Sequence, residues 1–131
     1  ASKGGNNMNQ NLFFTKTHEW VQFLDDTTVR IGLTDYAQSE LGDLVFVNLP
    51  EEGDEVNVGD AFADVESVKA VSDVYCPVTG TISKVNEELL DHPELINSDP
   101  MEAWFIEVEE VSEKEELLTE DEYNELISKE G

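Results

Sequence analysis

Apolar residues recur at every second position here, in short runs that Gly, Asp and Pro keep interrupting, and this pattern restricts the chain to a β-rich fold. From Leu12 onward, Trp20, Gln22 and Leu24 oppose Val21 and Phe23. Val29, Ile31 and Leu33 alternate with Thr28, Arg30 and Gly32, and the turn Asp25-Asp26-Thr27 joins the two runs. Leu44 to Leu49 is a continuous apolar run that stops at Pro50, the pattern of a strand buried on both faces. Two Gly-Asp turn signals surround Val56 and Val58, and strands resume through Val65 and from Val71 to Tyr75. Pro77 and Gly80 mark another turn before a strand from Thr81 to Val85, and Trp104, Ile106 and Val108 alternate as one more.

Helical signals are few and peripheral. Thr34 is placed to cap a short helix in which Ala37 and Leu41 share a face and Gly42 ends the run. Asn86 to Leu90 reads as a single helical turn. In the tail, "LTEDEYNELISKEG", Thr119 and Glu122 form a capping box, and Tyr123, Leu126 and Ile127 give one apolar face that must dock on the strands. Residues 1–11 read as a flexible leader or expression scar, with Met8 as the candidate native start. Residues 12–131 form a single domain, with its C-terminal helix from about Thr119. The fold class expected is all-β with short peripheral helices.

Charge narrows the function. The sequence holds 31 acidic and 7 basic side chains, a formal net charge of −24. Such a surface repels phosphate backbones and anionic lipid heads, which need clustered Lys and Arg. Nucleic acid and membrane are therefore excluded as partners, and steering toward proteins with basic docking faces remains. Cys76 is the only cysteine, so no intrachain disulfide and no CxxC site can form, and a reducing compartment is the simplest setting. The cytoplasm is expected, with the mitochondrial matrix as the alternative.

The inventory for catalysis is thin. His18 and His92 are far apart in sequence, no serine sits in a nucleophile elbow, and neither a phosphate loop nor metal-ligand spacing occurs. His92 reads as a surface histidine in a polar loop, and Cys76 as a small buried hydrophobe. An autonomous transferase or hydrolase built on His18 and Glu19 would lack a nucleophile and an oxyanion partner. Lys69 is the exception to this blandness: it lies between Val65 and Val71, where two β runs must reverse, and so belongs at an exposed hairpin tip.

Several segments carry a resemblance: "THEWV" at 17–21, "IGLTDYAQ" at 31–38, "LGDLVFVNLPE" at 41–51, "VESVKAVSDVYCPVTG" at 65–80 and "PELIN" at 93–97. In this order they resemble the glycine cleavage system H protein family, over nearly all of the chain outside the leader. The resemblance implies a lipoyl/biotinyl barrel-sandwich hybrid with lipoic acid in amide linkage on Lys69. It also implies that Glu66, Ser67, Val68 and Ala70 form the tip read by lipoate-attaching enzymes. Val68 and Ala70 stand where a biotin carrier would place methionines.

The same resemblance implies a non-catalytic carrier, a monomer. It would take an aminomethyl group from a pyridoxal-phosphate glycine decarboxylase to a tetrahydrofolate-dependent aminomethyltransferase, and an FAD-containing dihydrolipoyl dehydrogenase would reoxidise it. Glu19, Asp73, Thr17 and His18 are placed by it at the cleft that shelters the loaded arm, where a carboxylate stabilises the cargo as an ammonium. A lipoate relay, donating its lipoyl group to other carriers, is the alternative, since it needs the same modified lysine.

Overall fold

The computed structural model describes residues 11–130 and holds nine strands and four short helices. The strands are β1 (Leu12–Phe14), β2 (Glu19–Asp25), β3 (Thr28–Leu33), β4 (Leu44–Asn48), β5 (Glu55–Val56), β6 (Ala61–Ser67), β7 (Val71–Tyr75), β8 (Val78–Val85) and β9 (Ile106–Lys114). The helices are α1 (Asp35–Leu41), α2 (Glu88–Asp91), α3 (Leu95–Ser98) and α4 (Glu120–Glu130). All strand pairs are antiparallel. One sheet has the order β1-β2-β3-β9-β8-β5 and the other β4-β6-β7. The fold is the barrel-sandwich expected from the sequence. The leader assigned to residues 1–11 falls outside the described residues except for Asn11, a turn residue ahead of β1 whose carbonyl accepts the Phe23 N–H at 2.9 Å.

Alternation builds the core as the period predicts. Across the larger sheet, Val21 faces Ile31, Ile31 faces Ile106, and Ile106 faces Val85; the next inward row joins Val29, Val108 and Ile82. The smaller sheet offers Leu44, Val47, Ala63, Val65 and Val74 to the same cluster. Removing each large apolar side chain from water stabilises the fold by about 1.5–3 kcal/mol. A second cluster, Phe14, Trp20 and Tyr123, is where α4 docks. There Phe14 stacks on Tyr123 with ring centroids 4.8 Å apart.

The helix ends follow their local signals. Thr34 Oγ1 accepts the Ala37 N–H, and Gly42 closes α1 at φ 85, a conformation that costs a glycine little. At α4 the capping box is reciprocal: the Thr119 N–H donates to Glu122 Oε1 at 2.9 Å, and the Glu122 N–H to Thr119 Oγ1 at 3.2 Å.

Three expectations are corrected. β4 is not buried on both faces: Val45 and Phe46 are 55% and 47% exposed, because β4 is a sheet edge and a bulge between Leu44 and Phe46 turns both outward. Gly80 is not in a turn but inside β8, where a Cβ would lie 2.6 Å from the Glu109 carbonyl oxygen, so the glycine permits close approach of β9. Trp104 precedes β9 rather than alternating within it, and Arg30 lies over its ring at 4.8 Å. His92 does lie in an exposed loop, between the helical turns α2 and α3, the second of which has Glu94 as its N-cap.

Candidate functional site

The β6–β7 hairpin reverses over Val68, Lys69 and Ala70, and one hydroxyl organises the reversal. Ser67 Oγ accepts the N–H groups of Lys69 at 3.2 Å and Ala70 at 3.0 Å, and donates to the Ala70 carbonyl at 3.2 Å. The Ser67 N–H donates to the same carbonyl at 2.7 Å. A tip with its backbone groups bonded internally is rigid without needing burial. Val68, Lys69 and Ala70 are accordingly exposed, and Glu66 is half-buried at the start of the turn.

The tip is also tied to the rest of the fold. The Val68 N–H donates to the Asp43 carbonyl at 3.1 Å. The Lys69 stem passes over Gly42, whose missing Cβ would sit 3.5 Å from Lys69 Cε. Beyond that contact the Lys69 ammonium makes no ion pair among the described residues. It is an exposed primary amine on a fixed base, suited to acylation by another protein.

From the tip, β7 runs as the open edge of the smaller sheet, with Val71, Asp73 and Tyr75 facing outward and exposed. At about 3.3 Å per residue, Tyr75 lies about 13 Å beyond Val71. Asp73 stands in register with Asp64, which holds the Asn48 amide at 2.8 Å. At the far end of this track β2 delivers Glu19: its Oε2 accepts the Tyr75 N–H at 3.3 Å across 56 positions of sequence.

Glu19 is 1% exposed. Thr15 Oγ1 donates to Glu19 Oε1 at 2.6 Å, Thr17 Oγ1 donates to the same oxygen, and the Glu19 N–H returns a bond to Thr15 Oγ1 at 3.0 Å. Burial pushes the carboxyl up to about 7, with Glu115 adding to the rise while the Thr15, Thr17 and Tyr75 hydrogen bonds oppose it. Desolvation outweighs three donors because an ion costs more to dry than neutral hydrogen bonds return. The result is an acid that exchanges its proton near neutrality, beneath an exposed Thr17.

The structure therefore brings Glu19 and Thr17 to the far end of β7, the strand that bears Asp73 and leads back to Lys69 at the tip. It sends His18 elsewhere. His18 adopts φ 75, and its Nδ1 is 2.8 Å from Tyr123 Oη, which lies 2.7 Å from Thr34 Oγ1. Its ring also tilts against Tyr36 at 4.9 Å, so His18 braces α4 and the start of α1. Cys76 is fully buried, its thiol pushed up to about 12 by burial and bonded to the Val78 carbonyl, as a small hydrophobe should be. His92 is exposed and pairs with Glu94 at 3.2 Å.

Sequence reasoning missed Thr15, Tyr75, Gly42, Asp43 and Asn97 as parts of this region. The alternation of hydroxyls ahead of the acid, Thr15-x-Thr17-x-Glu19, was the available signal for the first. The others act through backbone groups or across the fold.

Among the described residues, no helix is long and apolar enough to cross a membrane. Comparison with known proteins gives one answer throughout. The chain is 65% identical over 121 residues to the glycine cleavage system H protein of Lachnoclostridium phytofermentans, covering 92% of this chain and 95% of that one. It is 54% identical over 127 residues to that of Halalkalibacterium halodurans, covering 95% and 98%. The crystal structure of a glycine cleavage system H protein from Mycobacterium marinum superposes with a TM-score of 0.85 at 40% identity, covering 90% of this chain and 97% of that one. The family model described as glycine cleavage H-protein matches residues 12–130, and the chain belongs to that family.

Proposed function

We propose that Lys69 carries lipoic acid in amide linkage and that the chain shuttles an aminomethyl group within glycine cleavage. The group would pass from the pyridoxal-phosphate glycine decarboxylase to the tetrahydrofolate-dependent aminomethyltransferase, with dihydrolipoyl dehydrogenase restoring the disulfide. The observation that carries this reading is Lys69 itself: an exposed amine without an ion pair among the described residues, on a tip stiffened by Ser67, inside the stretch that matches the family.

The surroundings fit an acylated lysine. Apolar Val68, Val71, Phe46 and Tyr75 are exposed near the tip or along the outward face of its sheet, where an apolar arm can rest. Lipoate, when attached, supplies the sulfur chemistry. This chain supplies position and proton control. Ser67, with Glu66, Val68 and Ala70, presents the lysine to lipoate-attaching enzymes. Asp73 and Glu19 offer carboxylates to a cationic amine on the cargo, and Thr17 bounds the same end of the track. A cation arriving beside Glu19 favours its ionised form, so the proton it holds near neutrality leaves as the pair forms. The chain is thus a substrate of its partner enzymes and catalyst of none.

Intact mass after incubation with a lipoate-attaching enzyme, lipoate and ATP tests the attachment. The wild-type chain should gain one lipoyl group and Lys69→Arg none, with both folded alike, since the exposed tip tolerates either side chain. A lipoyl gain on Lys69→Arg, or none on wild type, overturns it. Reconstitution with the three partner enzymes then tests the shuttle: glycine-dependent loading of the lipoylated chain supports it, whereas loss of the lipoyl group to other carriers without loading identifies a relay.

A further inference from the structure

Helix α1 presents a problem of attachment. None of its residues is fully buried; only Ala37 and Leu41 lean on the core. Yet its C-terminal end forms the seat of the tip: Gly42 underlies the Lys69 stem, and the Asp43 carbonyl holds the Val68 N–H. Something other than apolar packing must fix that end.

The side chain of Asn97, on α3, does so from both flanks. Its Nδ2 donates to the Gly42 carbonyl at 2.9 Å and to Gln38 Oε1 at 2.9 Å. Its Oδ1 accepts the Leu44 N–H at 2.9 Å. The two backbone groups on either side of Asp43 are thereby held by one planar amide, half-buried between the helices. The Gly42 carbonyl is among those that a helix end leaves without an internal partner, and Leu44 opens an edge strand, so both groups would otherwise depend on solvent.

Only an amide of this length satisfies the arrangement. Aspartate keeps the acceptor for Leu44 but has no N–H for Gly42, and sets a negative charge against a carbonyl oxygen. Alanine serves neither side.

We propose that Asn97 is a positioning residue for the modified lysine. By clamping Gly42 and Leu44 it fixes the Asp43 carbonyl, and through Val68 it sets the height and direction of Lys69 on the tip. The proposal rests on the reading that Lys69 is acylated, but its structural half can be measured without acylation.

Amide hydrogen exchange and lipoylation kinetics, on wild type, Asn97→Ala and Asn97→Asp, test it together. The Val68 amide should exchange about tenfold faster in both variants, as expected for losing a fixed acceptor, while the core amides of Val65 and Val74 stay near wild type. Lipoylation should show a KM raised about tenfold with kcat little changed, because a misplaced tip is bound less often but reacts normally once seated. Asn97→Asp retains the Leu44 bond and remains informative if Asn97→Ala does not fold. Wild-type Val68 exchange in the folded variants overturns the proposal, and so does acceleration spread equally over the core amides, which marks general loosening. A wild-type chain that takes no lipoate defeats the assignment of Lys69 instead, and Val68 exchange still decides whether Asn97 holds the tip.

Discussion

Tyr75 donates its backbone N–H to Glu19 Oε2 at 3.3 Å, so the first residue of β2 closes the open edge of β7 with a carboxyl that burial holds near neutrality. This contact joins the two sheets at the end of the track leading from Lys69. Burial of that carboxyl, which the contact only partly offsets, also makes stability depend on pH. Folded Glu19 keeps its proton up to about 7 against a usual 4.5, so over that interval the unfolded chain loses its proton first and stability falls as pH rises. The penalty is absent below about 4.5, complete above about 7, and amounts to about 3 kcal/mol. In Glu19→Gln it should vanish: denaturant midpoints of variant and wild type should diverge between pH 5 and 7.5, the variant gaining relative to wild type as pH rises. A constant difference across that range would mean that Glu19 is ionised throughout.

Gly32→Ala sets two effects of opposite sign against each other. Alanine restricts the unfolded chain and ordinarily stabilises by about 0.4–1 kcal/mol. Here, however, a Cβ would lie 2.6 Å from Cε2 of Trp20, which is 1% exposed and donates its indole N–H to the Pro100 carbonyl at 3.0 Å. Overpacking a filled core costs about 1–3 kcal/mol, so destabilisation wins. Urea denaturation should show a lower midpoint with an unchanged slope; a midpoint at or above wild type would show that Trp20 moves without cost.

Local signals in the sequence carried the fold furthest. Period-two runs became strands, Thr34 and Gly42 bound α1, and Thr119 with Glu122 opened α4, since each rests on contacts a few residues apart. Contacts that depend on where distant strands meet were not legible. Glu19 reads as a strand-end acid, and nothing near it in sequence says that Tyr75 will bond it. The exposure of Phe46 depends on a bulge, and Gly80 is needed for the approach of a strand almost thirty residues further on. Asn97 lies in the segment "PELIN", visible as a motif, but its purpose emerges only when α3 is packed against the end of α1.

Acidic charge should govern encounter with partners. At a formal −24, association with the decarboxylase and the aminomethyltransferase should be fastest at low ionic strength and slow as salt rises, because long-range attraction steers approach and is screened within about 10 Å at 0.1 M salt. Stopped-flow association rates measured from 20 to 500 mM salt provide the check. A flat profile would leave the charge a role in solubility alone.

The two carboxylates at the track should differ in how they protect the loaded carrier. An aminomethyl group on a thiol decomposes when its nitrogen lone pair expels the thiolate, and protonating the nitrogen blocks that step. A carboxylate within about 4 Å of the ammonium contributes on the order of 4 kcal/mol at an effective dielectric near 20, before desolvation is subtracted. Asp73 is exposed on β7, so solvent screens its share; Glu19 is buried but gives up its own proton only near pH 7. Asp73→Asn should therefore speed release of ammonia and formaldehyde several-fold at both pH 6 and pH 8. Glu19→Gln should have its larger effect at pH 8, where the wild-type carboxyl is already ionised and the unpaired amine deprotonates most readily, and a smaller one at pH 6, where forming the pair must first remove the proton that burial holds on the acid. Both variants should accept lipoate at the wild-type rate, since Ser67 builds the tip without either acid. Mass-spectrometric time courses of the loaded chain at the two pH values separate the roles: a Glu19→Gln effect equal at both would contradict the shifted carboxyl, and wild-type decay in both variants would leave the pair with no part in holding the cargo.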